Sequence, residues 1–175
     1  MPVMRVAKPV LYSFLVLLAL TGCRSKKELD LYHPGEIQAW REVSTARQAE
    51  VEERPRVELM TSHGTIILEL FEEEAPASVA NFLEYVNDGF YDGTIIHRVE
   101  PGLVIQGGGY TADLEKKETR APIPNEAENG IRNVRGTLGV ARTMEMDSGN
   151  SQFYINLTDN PGFNGDGIRD GYAVF

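Results

Sequence analysis

Three textures of apolar and polar positions follow one another along the chain. Residues 9–20, "PVLYSFLVLLAL", form one nearly unbroken apolar run. Residues 24–55 hold few large apolar groups. Ile37, Trp40 and Val43 recur there every third position in a stretch free of Gly and Pro. That spacing predicts a short helix whose apolar stripe is too thin to build a core. From Arg56 onward short apolar runs are punctuated by turns. "VELMTS" and "TIILELF", parted by His63-Gly64, predict a hairpin. "EEEAPASVANFLEYVNDG" predicts a helix, because Val79, Phe82, Leu83 and Val86 fall on one face. Pro76 suits its first turn, Glu72, Glu73 and Glu74 suit its positive end, and Gly89 suits its C-terminal cap. Beyond it, 14 of the 17 glycines lie between Gly89 and Gly171. They separate "TIIHRV", "LVIQ", "GTLGVAR", "SQFYINL" and "YAVF". Short strands broken by Gly-rich turns predict a mainly-β fold, an all-β sandwich or barrel, and with one early helix the sum is a β-barrel capped by helix.

Composition narrows the function classes. A chain of 175 residues, 42% hydrophobic and 25% charged, fits one globular domain with appendages. A net charge of −9, without any run of basic residues, argues against nucleic acid as the main partner. The single cysteine, Cys23, excludes an intrachain disulfide framework. His33, His63 and His97 are too widely spaced for a local metal motif, and no metal site is expected.

The N-terminus carries an address. Arg5 and Lys8 precede the apolar run, which is too short to span a bilayer comfortably and fits a signal-peptide core. Leu20-Thr21-Gly22-Cys23 follows and resembles a bacterial lipobox, in which the cysteine is lipidated. The expected organisation is a lipoprotein signal peptide over 1–22, lipidated Cys23 and a polar, partly helical spacer over 23–55, and a domain over 56–175. The expected location is the bacterial cell envelope, lipid-anchored and extracytoplasmic. An acidic protein needs acyl chains to stay at an anionic surface.

The domain contains one oddity. "IIHRVEPGLVIQGGGY" places Arg98 inside an apolar run, where an unpartnered charge is costly. Together with "FYDGT", "PNEAENGIRNVRGTLGVARTMEMDSGNSQFYIN" and "GYAVF", it resembles the cyclophilin family of peptidyl-prolyl isomerases, from about Val57 to the end of the chain. The chemistry that this resemblance implies is demanding but needs no nucleophile, metal or cofactor. Rotation about an Xaa-Pro amide faces a barrier of about 18–20 kcal/mol and takes tens to hundreds of seconds unaided. Reaching milliseconds needs about 10⁴-fold, roughly 5.5 kcal/mol. A guanidinium aimed at the prolyl nitrogen as it pyramidalises would favour the twisted state. One such charged hydrogen bond supplies about 1.5–3 kcal/mol, and a dry apolar pocket must supply the rest.

By resemblance, Arg98 is the catalytic arginine and Gln106 the glutamine that holds the substrate backbone. Leu103, Val104, Tyr154 and Phe163 fall on positions walling the proline pocket. Ala141, Arg142 and Gln152 align with the groove for the flanking peptide, and Tyr172 with the pocket edge. Proline-containing polypeptides are the implied partners, and a monomer is expected. Leu103 and Val104 are smaller than the family's usual residues, and Phe163 stands where many relatives have the tryptophan associated with cyclosporin, so weak cyclosporin binding is expected. Tyr154 adds a hydroxyl to the usual Phe, Asn164 replaces an apolar residue, and Arg142 replaces an Asn. A looser pocket also suits a non-catalytic proline-peptide holdase, and the Trp40 segment suits a lipoprotein tether. His97 is expected to alternate away from Arg98 as a structural residue. Family members continue past the equivalent of "GYAVF" with a helix and a closing strand. The resemblance therefore implies a closed antiparallel β-barrel capped by helix but here lacking both, with an open edge along its first strand.

Overall fold

The computed structural model describes residues 5–7, 54–167 and 170–175. The chain divides into two units, Met1–Val10 with Pro55–Phe175, and Leu11–Arg54. The apolar run, Cys23 and the Trp40 segment lie outside the described residues.

The described strands are β1 (Arg5–Ala7), β2 (Arg56–Thr61), β3 (Gly64–Glu69), β4 (Thr94–Glu100), β5 (Val104–Thr111), β6 (Leu138–Val140) and β7 (Phe153–Asn156). One α-helix, α1 (Pro76–Asn87), and a 3₁₀ turn, Pro161–Phe163, complete them. All pairings are antiparallel, in the orders β1-β2-β3 and β4-β5-β7-β6. The mainly-β expectation holds, but the described strands form two sheets rather than one closed barrel. The edge of β2 that was expected to be open is paired over Glu58–Met60 with β1. Unpaired N–H and C=O groups along an edge take up extended chain readily.

The β2–β3 hairpin turns on Ser62-His63, so Gly64 opens β3 rather than sitting in the loop. The Thr61 hydroxyl donates to Gly64 O at 2.7 Å and accepts from His63 N at 3.1 Å, fixing this turn.

Helix α1 starts at Pro76 and ends as expected: Gly89 (φ +66) takes the left-handed conformation and its N–H reaches Val86 O. Its N-terminus departs from expectation. No acid lies in the first turn, because Glu72, Glu73 and Glu74 precede the helix. Glu126 serves instead, accepting from Ala77 N at 3.0 Å, Ser78 N at 2.8 Å and the Ser78 hydroxyl at 2.6 Å. A carboxylate at the positive end of a helix satisfies donors that the helix cannot.

The helix buries Val79, Phe82, Tyr85 and Val86. Both sheets meet this face in one core, with Val57, Leu59 and Leu68 from the first and Leu138, Val140 and Phe153 from the second. Phe82 packs against Phe153 edge-on at 5.8 Å and against Phe175 at 5.3 Å, tying helix to sheet.

Candidate active site

The β4–β5 ladder is irregular, and the irregularity makes the site. Ile96 pairs with Gly107, yet Arg98 pairs with Gln106, so His97 is an extra residue on β4. Ile96 packs against the core. In an unbroken strand Arg98, two residues on, would share its face. The bulge breaks that alternation, and the Arg98 side chain is 48% exposed.

Strand register then lines up one row across the second sheet: Arg98 opposite Gln106, Gln106 opposite Tyr154, and Tyr154 opposite Gly139. Arg98 Nη1 donates to Gln106 Oε1 at 3.3 Å, and Gln106 Nε2 donates to Gln152 Oε1 at 3.0 Å. Arg98 Nη2 also lies 3.3 Å from Glu100 Oε1, a pairing that the sequence pattern did not suggest. Both partners are half-exposed, so the pair contributes little and leaves the guanidinium available.

The run Gly107-Gly108-Gly109 lies within β5, not in a phosphate loop. A Cβ on Gly108 would sit 2.8 Å from Ser151 O, and one on Gly109 would sit 2.6–2.7 Å from the Gln152 side chain. These positions are bare because the segment leading into β7, Ser151 to Phe153, passes close beside them.

The aromatic residues assigned to the pocket come from three segments and meet. Tyr154 stands edge-on to Phe163 at 5.9 Å and to Tyr172 at 6.1 Å, and Phe163 lies 5.2 Å from Tyr172. Burial, with the neighbouring Tyr172 adding to it, pushes the Tyr154 phenol well above its ordinary pKa. It is therefore a hydrogen-bond donor at neutral pH. Val104 is buried opposite Asn156, and Leu103 is half-buried just before it.

Ala141 N donates to Gln152 O at 2.9 Å. The Arg142 guanidinium is engaged within the fold. Its Nε and Nη2 donate to Gly171 O at 3.1 and 3.0 Å, Nη2 also reaches Asp170 O, and the group lies 4.5 Å over the Tyr172 ring. It clamps the segment that carries Tyr172. Asn164 is likewise explained: its Oδ1 accepts from Asn133 N at 2.8 Å. Asn133 carried no sequence signal, being one polar residue among several in a Gly-rich stretch.

His97 does not simply alternate away from Arg98. Its Nδ1 is buried without a hydrogen bond, and its ring lies 4.6 Å from Tyr110. Burial lowers its pKa from the ordinary 6.5, helped by the Arg98 charge and opposed by the Ile95 backbone and the Gln152 side chain.

The arginine–glutamine pair and the aromatic cluster thus lie on an antiparallel sheet packed by one helix, and the fold is of the cyclophilin class. The family model for cyclophilin-type peptidyl-prolyl cis-trans isomerases matches residues 56–175, and the chain belongs to that family. Peptidyl-prolyl cis-trans isomerase A of Dickeya dadantii is 57% identical over 118 residues, 67% of this chain and 62% of that protein. Peptidyl-prolyl cis-trans isomerase B of Escherichia coli is 48% identical over 118 residues, 66% of this chain and 72% of that one. A Cryptosporidium parvum cyclophilin-type isomerase, crystallised in the presence of the dipeptide Ala-Pro, superposes with a TM-score of 0.57 at 26% identity, covering 69% of this chain and 75% of its own. The chain spans 62% and 63% of the length of the Dickeya isomerase and of a relative from Acinetobacter baylyi.

Proposed function

We propose that this protein accelerates cis–trans rotation about Xaa-Pro bonds, with Arg98 as the catalytic group and Gln106 holding the substrate backbone. The observation that carries the reading is the bulge at His97, which sets the Arg98 guanidinium opposite Gln106 instead of in the core phase of Ile96. Two donors of Arg98 are engaged, by Gln106 and Glu100, both at 3.3 Å. A guanidinium has five N–H donors in a rigid fork, so others remain for a prolyl nitrogen. Kinship to isomerases at about half identity supports the same activity.

In the reaction, the prolyl ring seats against the Tyr154, Phe163 and Tyr172 cluster with Leu103 and Val104 beside it. Gln106 and the Ala141–Gln152 stretch hold the flanking backbone while the acyl side turns. Arg98 donates to nitrogen only as its lone pair leaves conjugation, which favours the twisted state over both planar ones. No covalent bond is made or broken.

The clients in this reading are secreted or envelope polypeptides whose folding waits on proline, reached from a lipid anchor at Cys23. The order of basic residues, apolar run and Leu20-Thr21-Gly22-Cys23 supports that location. Incorporation of labelled fatty acid that is lost in Cys23→Ala tests it. The smaller Leu103 and Val104 favour one second reading, a holdase that binds prolyl peptides without turning them over.

The deciding experiment is a proline-isomerisation assay on a tetrapeptide, with wild type and Arg98→Ala. The expected loss in kcat/KM is about 10- to 100-fold, the worth of one charged hydrogen bond. A wild type at the uncatalysed rate that still binds peptide would sink catalysis in favour of the holdase.

A further inference from the structure

Asn133 is 1% exposed and uses every polar atom it has. Its Oδ1 accepts from the Tyr154 hydroxyl at 2.6 Å and from Asn156 Nδ2 at 3.1 Å. Its Nδ2 lies within donating distance of Tyr172 O at 3.1 Å, Phe163 O at 3.3 Å and Asn164 Oδ1 at 3.4 Å. Its backbone N–H donates to Asn164 Oδ1 at 2.8 Å, and its carbonyl accepts from Asn160 N at 2.8 Å. One side chain thus joins β7, the 3₁₀ turn and the segment carrying Tyr172, which supply the three rings of the proposed pocket.

Gly139, on the neighbouring strand β6, bears on the same point from another side. A Cβ there would overlap Cζ and the hydroxyl of Tyr154. The chain keeps that strand bare where the phenol passes toward Asn133. A phenylalanine at 154 would still need that room, because Cζ and Cε1 also lie within 3 Å of the added Cβ, but it would not need the acceptor.

We propose that Asn133 is a positioning residue for the proline pocket. Through the Tyr154 hydroxyl and the carbonyls of Phe163 and Tyr172 it sets the spacing of the three rings, and so how tightly a prolyl ring is gripped. The inference rests on the peptide-binding reading of this site and deepens it. Arg98 lies outside this network, so the grip and the catalytic donor are separable.

The test uses the full chain, an Ala-Pro-containing peptide as probe, and Tyr154→Phe, Asn133→Ala and the double variant. Removing the hydroxyl should weaken peptide binding about threefold, and removing the amide about tenfold, as expected for one and for several neutral hydrogen bonds. The double variant should bind no worse than Asn133→Ala, because the hydroxyl then has no acceptor to lose. The loss should fall more on KM and Kd than on kcat, and the ring resonances of Phe163 and Tyr172 should move in Tyr154→Phe. Additive losses, or a Tyr154→Phe protein with unmoved rings and unchanged Kd, would overturn the proposal. If Asn133→Ala fails to fold, Tyr154→Phe decides alone by those two readings. A wild type that binds the peptide without accelerating rotation sinks catalysis but leaves the pocket to be judged by the variants. A wild type that binds no prolyl peptide overturns both.

Discussion

Arg98 faces Gln106 because β4 carries one residue more than β5 across that point. The extra residue is His97, and its contribution is geometric before it is chemical: it changes the phase of the strand between Ile96 and Arg98. Ile96 can then pack on the core while the next site residue reaches solvent. Deleting His97 makes Arg98 the residue directly after Ile96, so plain alternation still keeps the two on opposite faces. What is lost is the bulge and its added twist, which should re-aim the Arg98 guanidinium and lower peptide turnover. His97→Gln keeps the residue count and should keep isomerase activity within about threefold. The two variants, compared by thermal melting and by peptide turnover, separate the role of the bulge from that of the imidazole. Equal behaviour would count against the register argument.

The imidazole itself should show in acid. Its pKa is lowered in the folded protein, chiefly by burial, from the ordinary 6.5. The unfolded chain therefore binds this proton more readily than the folded one, and stability rises with pH through that window. The contribution is fully present above about pH 6.5 and is lost as the pH falls. In denaturant titrations between about pH 5 and 7, His97→Gln should flatten the slope relative to wild type. An identical slope would mean that His97 titrates alike in both states.

Helix α1 receives its cap from 48 residues away in sequence: Glu126 meets Ala77 N, Ser78 N and the Ser78 hydroxyl. Removing the carboxylate strands two backbone donors and a buried hydroxyl. Glu126→Ala should cost about 2–3 kcal/mol, on the scale of hydrogen bonds to charged groups. For a domain of this size that is a fall in Tm of about 5–10 °C. Glu126→Gln should recover part of it by keeping an acceptor. Substituting Glu72 or Glu73 one at a time should change Tm little, which calorimetry can check.

These cases mark where the sequence was legible. Period and punctuation located the helix, its buried face and its Gly89 stop, since those depend on residues within a turn or two. The family motif placed Arg98, Gln106 and the aromatic residues, and the structure brings them into two linked groups. The helix cap, the β4 bulge and Asn133 were not legible. Each depends on a partner tens of residues away or on a ladder slipping by one, and neither leaves a local pattern. Arg142 and Asn164 looked like departures from the family pattern. In the fold Arg142 clamps Gly171 and Asn164 pairs with Asn133.

The glycine run on β5 yields a prediction about activity rather than stability. A Cβ on Gly109 would lie 2.6–2.7 Å from Cγ, Cδ and Nε2 of Gln152. Contacts that short cannot persist, and the flexible glutamine side chain can move at lower cost than the backbone beside it. The displacement should break the 3.0 Å bond from Gln106 Nε2 to Gln152 Oε1, leaving Gln106 held only from the Arg98 side. Gly109→Ala should therefore melt within a few degrees of wild type yet lose about three- to tenfold in kcat/KM, the worth of one neutral hydrogen bond at the site. Gln152→Ala should lose a similar factor. Adding Gly109→Ala to Gln152→Ala should then change nothing further, because the side chain that the methyl displaces is already gone. A further loss in the double variant would place the effect of Gly109 in the strand itself and not in the Gln106–Gln152 bond.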